Sequence, residues 1–360
     1  MAKKVLVAMS GGVDSSVTAA LLCKAGYECT GVTMKLYNAP DDASACSKAC
    51  CTLEDAEDAR SVAFGLGMRF YVFNFTQDFS SQVIDRFVEG YENGQTPNPC
   101  IDCNRYMKFE KLYQRAKIMG CDAIATGHYA RVEQDAQSGR WLLKKSKNIA
   151  KDQSYVLAFL TQEQLAHTLF PLGDFSDKEQ VRAVAAQYGF ANAEKPDSHD
   201  ICFVRGGSYT DFIASYTGKT YLPGPFLDRQ GNVLGQHKGI IGYTVGQRKG
   251  LGLACSSPLY VCEKHPEENA IVLVTKEELY TQEFTAREFN WIACEAPQKP
   301  IKAAVRTRYH GPECTATVWV LPDGNVRIRF DEPQKAVTPG QAAVLYLGDV
   351  VLGGGTICEQ

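Results

Sequence analysis

Over roughly the first two hundred residues, short β-branched runs alternate with longer amphipathic ones. Val5–Met9 is apolar and runs into glycines, and Ser15 to Ala25 carries a helical pattern that Gly26 stops. Tyr27–Tyr37 and Arg69–Phe75 read as strands, and Leu53 to Leu66 reads as a helix with its acids early. Phe79–Tyr91 and Met107–Met119 are helical, and Ala123–Thr126 is a short buried strand closed by Gly127. Strands alternating with helices predict a doubly wound parallel sheet with right-handed crossovers over residues 1–204. Beyond about residue 205 glycine and proline punctuate the chain, as in Tyr221–Pro225 and Gly246–Leu253, and residues 205–283 read as a small central domain. From 284 to 360 short alternating runs (Ala303–Arg308, Thr315–Leu321, Val326–Phe330, Ala342–Leu347) predict a small antiparallel β-barrel or sandwich. The fold class is thus α/β with an antiparallel C-terminal barrel.

Composition narrows the class. Hydrophobic residues are 45% and charged residues 22%, ordinary for a globular protein. No apolar run is long enough for a membrane helix, and the N-terminus lacks a signal-peptide pattern, so a cytoplasmic location is expected. The net charge of −3 argues against a protein that is basic throughout. Charge is uneven, however. Residues 1–100 have 8 Lys/Arg and 12 Asp/Glu (−4), whereas residues 101–151 have 11 Lys/Arg and 5 Asp/Glu (+6). That basic stretch is either a solvated face or a nucleic-acid contact.

Chemistry first shows at Ala8-Met9-Ser10-Gly11-Gly12-Val13-Asp14-Ser15. A strand, a glycine-rich turn and a helix N-terminus make an anion site of converging N–H groups and helix dipole. No lysine closes the loop, so a Walker NTPase is disfavoured, and the dinucleotide spacing G-x-G-x-x-G is absent. Fourteen cysteines are the other oddity. Cys100-Ile101-Asp102-Cys103 precedes a basic helix, with Arg105 and Lys108 placed to favour a thiolate, and Cys202 lies in a second segment, Lys195 to Phe203. A C-x-x-C also arises by chance in so cysteine-rich a chain. Cys46, Cys50 and Cys51 form a third cluster without a visible partner pair for zinc, and unliganded thiols are the simpler reading.

The loop S-G-G-V-D-S resembles the PP-loop ATP pyrophosphatases, which implies ATP cleavage to AMP and pyrophosphate, with Met34 near the adenine and Gly127 as a second nucleotide contact. Several further segments resemble the tRNA-specific 2-thiouridylases (the MnmA/TrmU family). They are Thr96–Cys103 with Asn104 to Phe109, Ala125–Arg131, Lys151–Tyr155, Asp200–Phe203 and Tyr243–Gly250. That resemblance implies ATP with Mg2+ as cofactor and adenylation of the wobble uridine's C2 oxygen. It also implies Cys103 as nucleophile, Cys202 as persulfide carrier, and a Cys103–Cys202 disulfide at the end of turnover. It places Asn98 and Cys100 at the target base, and Lys151, Asp152, Gln153, His128, Arg308, Tyr309 and Gln341 against tRNA. Lys, Glu and Gln tRNAs, and a cysteine desulfurase or sulfur relay, are the implied partners. Many members carry Asp where this chain has Cys100. The alternative is therefore a [4Fe-4S] cluster on Cys100, Cys103 and Cys202. His199 and Asp200 replace the usual Thr and Gly. A different adenylating PP-loop ligase is the other alternative, but it needs no distant pair of thiols.

Overall fold

The computed structural model describes residues 2–37, 53–196, 201–204, 207–255 and 257–358. The cluster Cys46, Cys50 and Cys51, and the pair His199 and Asp200, lie outside them.

Strands β1 (Lys4–Ala8), β2 (Glu28–Lys35), β3 (Arg69–Asn74) and β4 (Ala123–Ala125) form an all-parallel sheet. Next in the chain come the hairpin β5 (Ala130–Gln134) and β6 (Trp141–Lys145), then the short β7 (Thr168–Leu169). The parallel sheet has the order β3-β2-β1-β4-β7, with Val5 opposite Cys29 and Leu6 opposite Ile124. Both faces are buried, as parallel sheets require. Val5, Val7 and Met9 pack under helices α1 (Val13–Lys24) and α2 (Leu53–Gly65). Leu6, Val32 and Ile124 face the opposite layer with Phe79, Phe87, Met107 and Leu112. Successive crossovers leave β1 in opposite directions, so its carboxyl end is a topological switch point, where open α/β sheets bind ligands.

Two helices of that layer are longer than the sequence pattern predicts. One runs through Thr76–Phe79, a wider π-helical turn Ser80–Ile84 and Asp85–Glu92. The other starts at Pro99–Asp102, widens over Cys103–Lys111 and ends with Leu112–Ile118. The C-x-x-C is therefore the first turn of a helix and does not precede one. Asn98 caps it by accepting the Cys100 N–H (3.1 Å), and Pro99 takes the first helical position, where its missing donor costs nothing.

The next unit pairs β8 (Gly224–Leu227), β9 (Val233–His237), β10 (Tyr260–His265) and β11 (Ala270–Val274) in the order β10-β11-β8-β9. The last is a closed six-stranded antiparallel barrel. Its strands are β12 (Tyr280–Trp291), β13 (Ile301–Arg306), β14 (Cys314–Val320), β15 (Val326–Lys335), β16 (Ala342–Leu347) and β17 (Val350–Ile357). Closure comes from β12, which pairs with both β15 and β17. The strand β17 is hidden in the sequence by Gly353–Gly355. A Cβ at Gly353 would lie 2.3 Å from the Asn290 carbonyl, and one at Gly355 would lie 2.6 Å from the Phe289 ring. The hairpin β5–β6 leaves the first unit and joins this sheet at β17.

Candidate active site

A cavity of about 540 Å3 opens at the carboxyl ends of β1, β2 and β4. One side is the glycine turn. Gly12 caps α1 in extended conformation, and Ser15 Oγ accepts the Ser10 N–H (3.2 Å) while donating to Gly12 O (2.9 Å). The turn is thereby closed on itself, with the α1 N-terminus facing the cavity. Gly11 has φ +78° and stands beneath the loop, its Cα against the Asp55 carbonyl. Gly127 lets the end of β4 approach α1, for a Cβ there would come within 3.0 Å of Asp14 and Ser15 backbone atoms. Asp14 takes the Tyr129 hydroxyl (2.7 Å) and both its oxygens meet Lys178 Nζ (2.7 and 2.8 Å). Ala8, Met9, Ser10, Gly12, Val13, Asp14, Ser15, Met34 and Gly127 all line the cavity, and Gly11 does not.

The other side carries sulfur. Cys100, Cys103 and Cys202 line this same cavity. Cys100 is exposed and Cys103 is 9% exposed. Phe203 anchors the Cys202 segment by packing edge-on against Phe79 and Phe87 (5.8 and 5.3 Å between centroids). His128 lies between the two sides. Its Nδ1 is 2.5 Å from Thr126 Oγ1 and its Nε2 is 3.5 Å from Lys108 Nζ. Burial, then the Lys108 charge, hold its imidazole well below the usual 6.5, so it is neutral at pH 7.

The residues expected to face tRNA divide into two groups. His128, Lys151, Gln153 and Tyr309 line the cavity with Cys100. Four others are turned to structural work. Asn98 caps the cysteine helix. Asp152 is buried, accepting the Ser146 N–H (3.0 Å) and the Ser154 hydroxyl (2.8 Å). Arg308 Nη2 donates to Val245 O, Ala336 O and Thr338 Oγ1, and Gln341 donates to Thr96 O (2.6 Å). The basic stretch is also largely consumed inside the protein. Lys111 pairs with Asp78, Arg131 with Asp349, Arg140 with Glu295, Lys145 with Glu313 and Lys147 with Asp174. Its cations that reach the cavity are Lys108 and Lys151. Residues missed by the pattern are Tyr129, Lys178 and Asn192, which brace the loop from 115 or more positions away, where no local signal exists.

Among the described residues no group of three His, Cys, Asp or Glu side chains is gathered to hold a metal ion.

A parallel sheet with a glycine-rich turn and a helix N-terminus at its switch point, facing thiols across one cavity, is an α/β architecture whose site is of the kind that takes anions. The family model described as tRNA methyl transferase HUP domain matches residues 3–206. The tRNA methyl transferase PRC-barrel domain matches 210–275, and the aminomethyltransferase beta-barrel domain matches 281–357. A tRNA-specific 2-thiouridylase MnmA of Acetivibrio thermocellus is 50% identical over 99% of both chains. The MnmA of Clostridioides difficile is 47% identical over 99% of this chain and 98% of its own. A solved 4-thiouridine synthetase–RNA complex with bound ATP overlays loosely, with a TM-score of 0.38 and 19% identity over 56% of this chain and 45% of its own. The chain belongs to the tRNA-specific 2-thiouridylase MnmA family.

Proposed function

We propose that this protein is a tRNA-uridine 2-sulfurtransferase that uses ATP to activate the wobble uridine and then replaces its C2 oxygen with sulfur. The observation that carries this reading is one cavity holding a phosphate-type loop and the two thiols Cys103 and Cys202. The C2 oxygen is a poor leaving group. Attack of that oxygen on the α-phosphorus of ATP expels pyrophosphate and makes it a good one. In the proposed sequence a persulfide on Cys202 attacks C2 through its outer sulfur, and AMP leaves. The Cys103 thiolate then attacks the Cys202 sulfur. The S–S electron pair passes to the sulfur on C2, the thione forms, and Cys103 and Cys202 end as a disulfide. An external thiol reopens it.

Nucleotide contacts are assigned to Ala8–Ser15, Met34 and Gly127. Lys151, Gln153, His128 and Tyr309 are assigned to the nucleic acid at the cavity mouth, with Cys100 beside the target base. Asp14 already accepts from Lys178 and Tyr129, and Mg2+ would be carried in mainly by the triphosphate oxygens. The persulfide route is preferred to a cluster because the two thiols Cys103 and Cys202 on one cavity suffice for it. The substrates of this reading are the Lys, Glu and Gln tRNAs. A cysteine desulfurase or relay supplies the sulfur in the cytoplasm. No helix among the described residues is long and apolar enough to cross a membrane.

The test is anaerobic thiolation of tRNA by the chain and by Cys103→Ser and Cys202→Ser, read by nucleoside mass spectrometry beside ATP binding and iron content. Both variants are expected to bind ATP and form no 2-thiouridine. Thiolation surviving in either variant defeats the assignment of that thiol, and activity that tracks stoichiometric iron supports the cluster instead.

A further inference from the structure

The phosphate loop has no lysine of its own, yet one is held beside it by a distant segment. Lys195 Nζ donates to Asp55 Oδ1 (2.7 Å) and Asp58 Oδ2 (2.8 Å), both carboxylates of α2. Asp55 is the residue whose backbone carbonyl abuts Gly11. The chain leading to Lys195 is tied to the loop as well. Asn192 Nδ2 donates to Gly11 O (2.9 Å) and Ser16 Oγ (3.0 Å), and the Arg182 guanidinium donates to the carbonyls of Ala193 and Lys195 (2.9 and 3.3 Å). Lys195 and Asp55 both line the cavity on the loop side. The other nearby cations are differently placed. Lys178 grips Asp14, Lys108 stands against His128, and Lys151 lines the cavity with Gln153.

We propose that Lys195 is a substrate-contacting residue that leaves Asp55 and Asp58 to meet the β- and γ-phosphates when a nucleoside triphosphate enters. The proposal rests on the ATP-dependent reading above and adds to it a specificity for the triphosphate. A helix N-terminus accepts any phosphate and does not by itself tell ATP from AMP. An ammonium set where the outer phosphates would lie does so, because AMP brings nothing for it to meet. The two pairings differ in strength. The Lys195 and Asp58 side chains are 29% and 31% exposed, so that pairing is screened by water, whereas Asp55 is 11% exposed and is the stronger competitor that the phosphates must displace. Charge-assisted hydrogen bonds to phosphate inside the cavity are stronger, and the ammonium has three donors that reorient freely. The two aspartates are then competitors of the nucleotide. They keep the lysine charged and close to the loop while no phosphate is present, and they take it back when pyrophosphate leaves.

The test compares binding of ATP and of AMP to the full chain and to Lys195→Met, Lys195→Arg and Asp58→Asn by isothermal titration calorimetry, with tRNA thiolation followed in parallel. Lys195→Met is expected to weaken ATP by about tenfold or more while AMP stays within about twofold. Lys195→Arg recovers part of the loss. Asp58→Asn removes a competitor, and is expected to tighten ATP by about two- to threefold although it breaks an ion pair. A purely structural ion pair makes the opposite forecast: ATP and AMP weaken together in Lys195→Met, and ATP weakens in Asp58→Asn. Either result overturns the proposal. If the unaltered chain binds ATP and thiolates tRNA while Lys195→Met leaves the ATP-to-AMP ratio unchanged, the Lys195 assignment alone falls. A chain that binds no ATP removes the adenylation reading and this proposal with it.

Discussion

Gly11→Ala separates the two duties of the phosphate loop, being built and binding. Gly11 has φ +78°, a left-handed conformation that costs a residue with a Cβ about 1–2 kcal/mol. The added carbon would also lie 2.3 Å from the Asp55 carbonyl oxygen and 2.8 Å from Asp55 C and Cα. These are backbone atoms of α2 and cannot rotate aside. The loop and α2 must part by about 1 Å, an overpacking cost of about 1–3 kcal/mol. Together the substitution costs about 2–5 kcal/mol, which lowers the melting temperature of the nucleotide-binding unit by about 5 °C or more. Gly12→Ala is the control. Gly12 has φ −89°, and its Cβ would meet nothing closer than Ser10 Oγ at 3.6 Å. That variant should keep its stability within about 0.5 kcal/mol and lose ATP affinity only through its place in the cavity wall. The assay is thermal denaturation by circular dichroism beside ATP titration. If Gly11→Ala melts with the unaltered chain, or Gly12→Ala melts as early as Gly11→Ala, the steric reasoning is refuted.

Three further outcomes follow from the geometry. Arg308→Lys should lower the melting temperature much as Arg308→Ala does, since a point charge cannot span Val245 O, Ala336 O and Thr338 Oγ1 together; full rescue by lysine would contradict this. Burial pulls Lys264 down from 10.5 to about 8, so between these values the unfolded chain binds the extra proton and stability rises with pH. Urea denaturation at pH 7.5 and 10 should show that rise, on the order of 3 kcal/mol, and Lys264→Met should flatten it; an unchanged slope would count against it. A hydrogen bond from the Cys29 thiol holds the Cys23 thiol below its ordinary value. Iodoacetamide should then label Cys23 at pH 7 faster in the unaltered chain than in Cys29→Ala, and equal rates would contradict this.

What the sequence made legible was what local order decides. Strand, paired glycines and helix follow one another within twenty residues, so the phosphate loop and its sheet could be read directly. The cysteine helix was read too short because Pro97 and Pro99 suggest an extended approach, whereas Asn98 caps and Pro99 opens the first turn. The final strand was invisible because Gly353 and Gly355 answer to Asn290 and Phe289, more than sixty positions back, and Gly354 answers to Ala158. The pairing of the +6 stretch is hidden for a related reason. Its neutralising acids, Asp349 and Glu313, come from the barrel, so net charge over fifty residues did not describe the surface they make.

The barrel takes part in setting the cysteine geometry. The segment entering the C-x-x-C turn is held on both sides by it: the Thr96 N–H donates to Pro339 O (2.9 Å), and Gln341 Nε2 donates to Thr96 O. Gly340 fits against this segment, for a Cβ there would come 2.9 Å from Gln95 Cβ. The Tyr155 hydroxyl donates to Ala342 O (2.9 Å), tying the segment after Lys151 to the same strand. From just past the neighbouring barrel strand, β13, Tyr309 packs against Tyr155 (6.0 Å between centroids), and Tyr309 and His310 reach the cavity wall. A nucleic acid that pressed on the barrel would therefore load the turn that carries Cys100 and Cys103 through the Thr96–Pro339 backbone hydrogen bond and the Gln341 side chain. Gln341, placed against tRNA by the family resemblance, also holds Thr96 at the entry to the cysteine helix, so a change at Gln341 would disturb that entry as well.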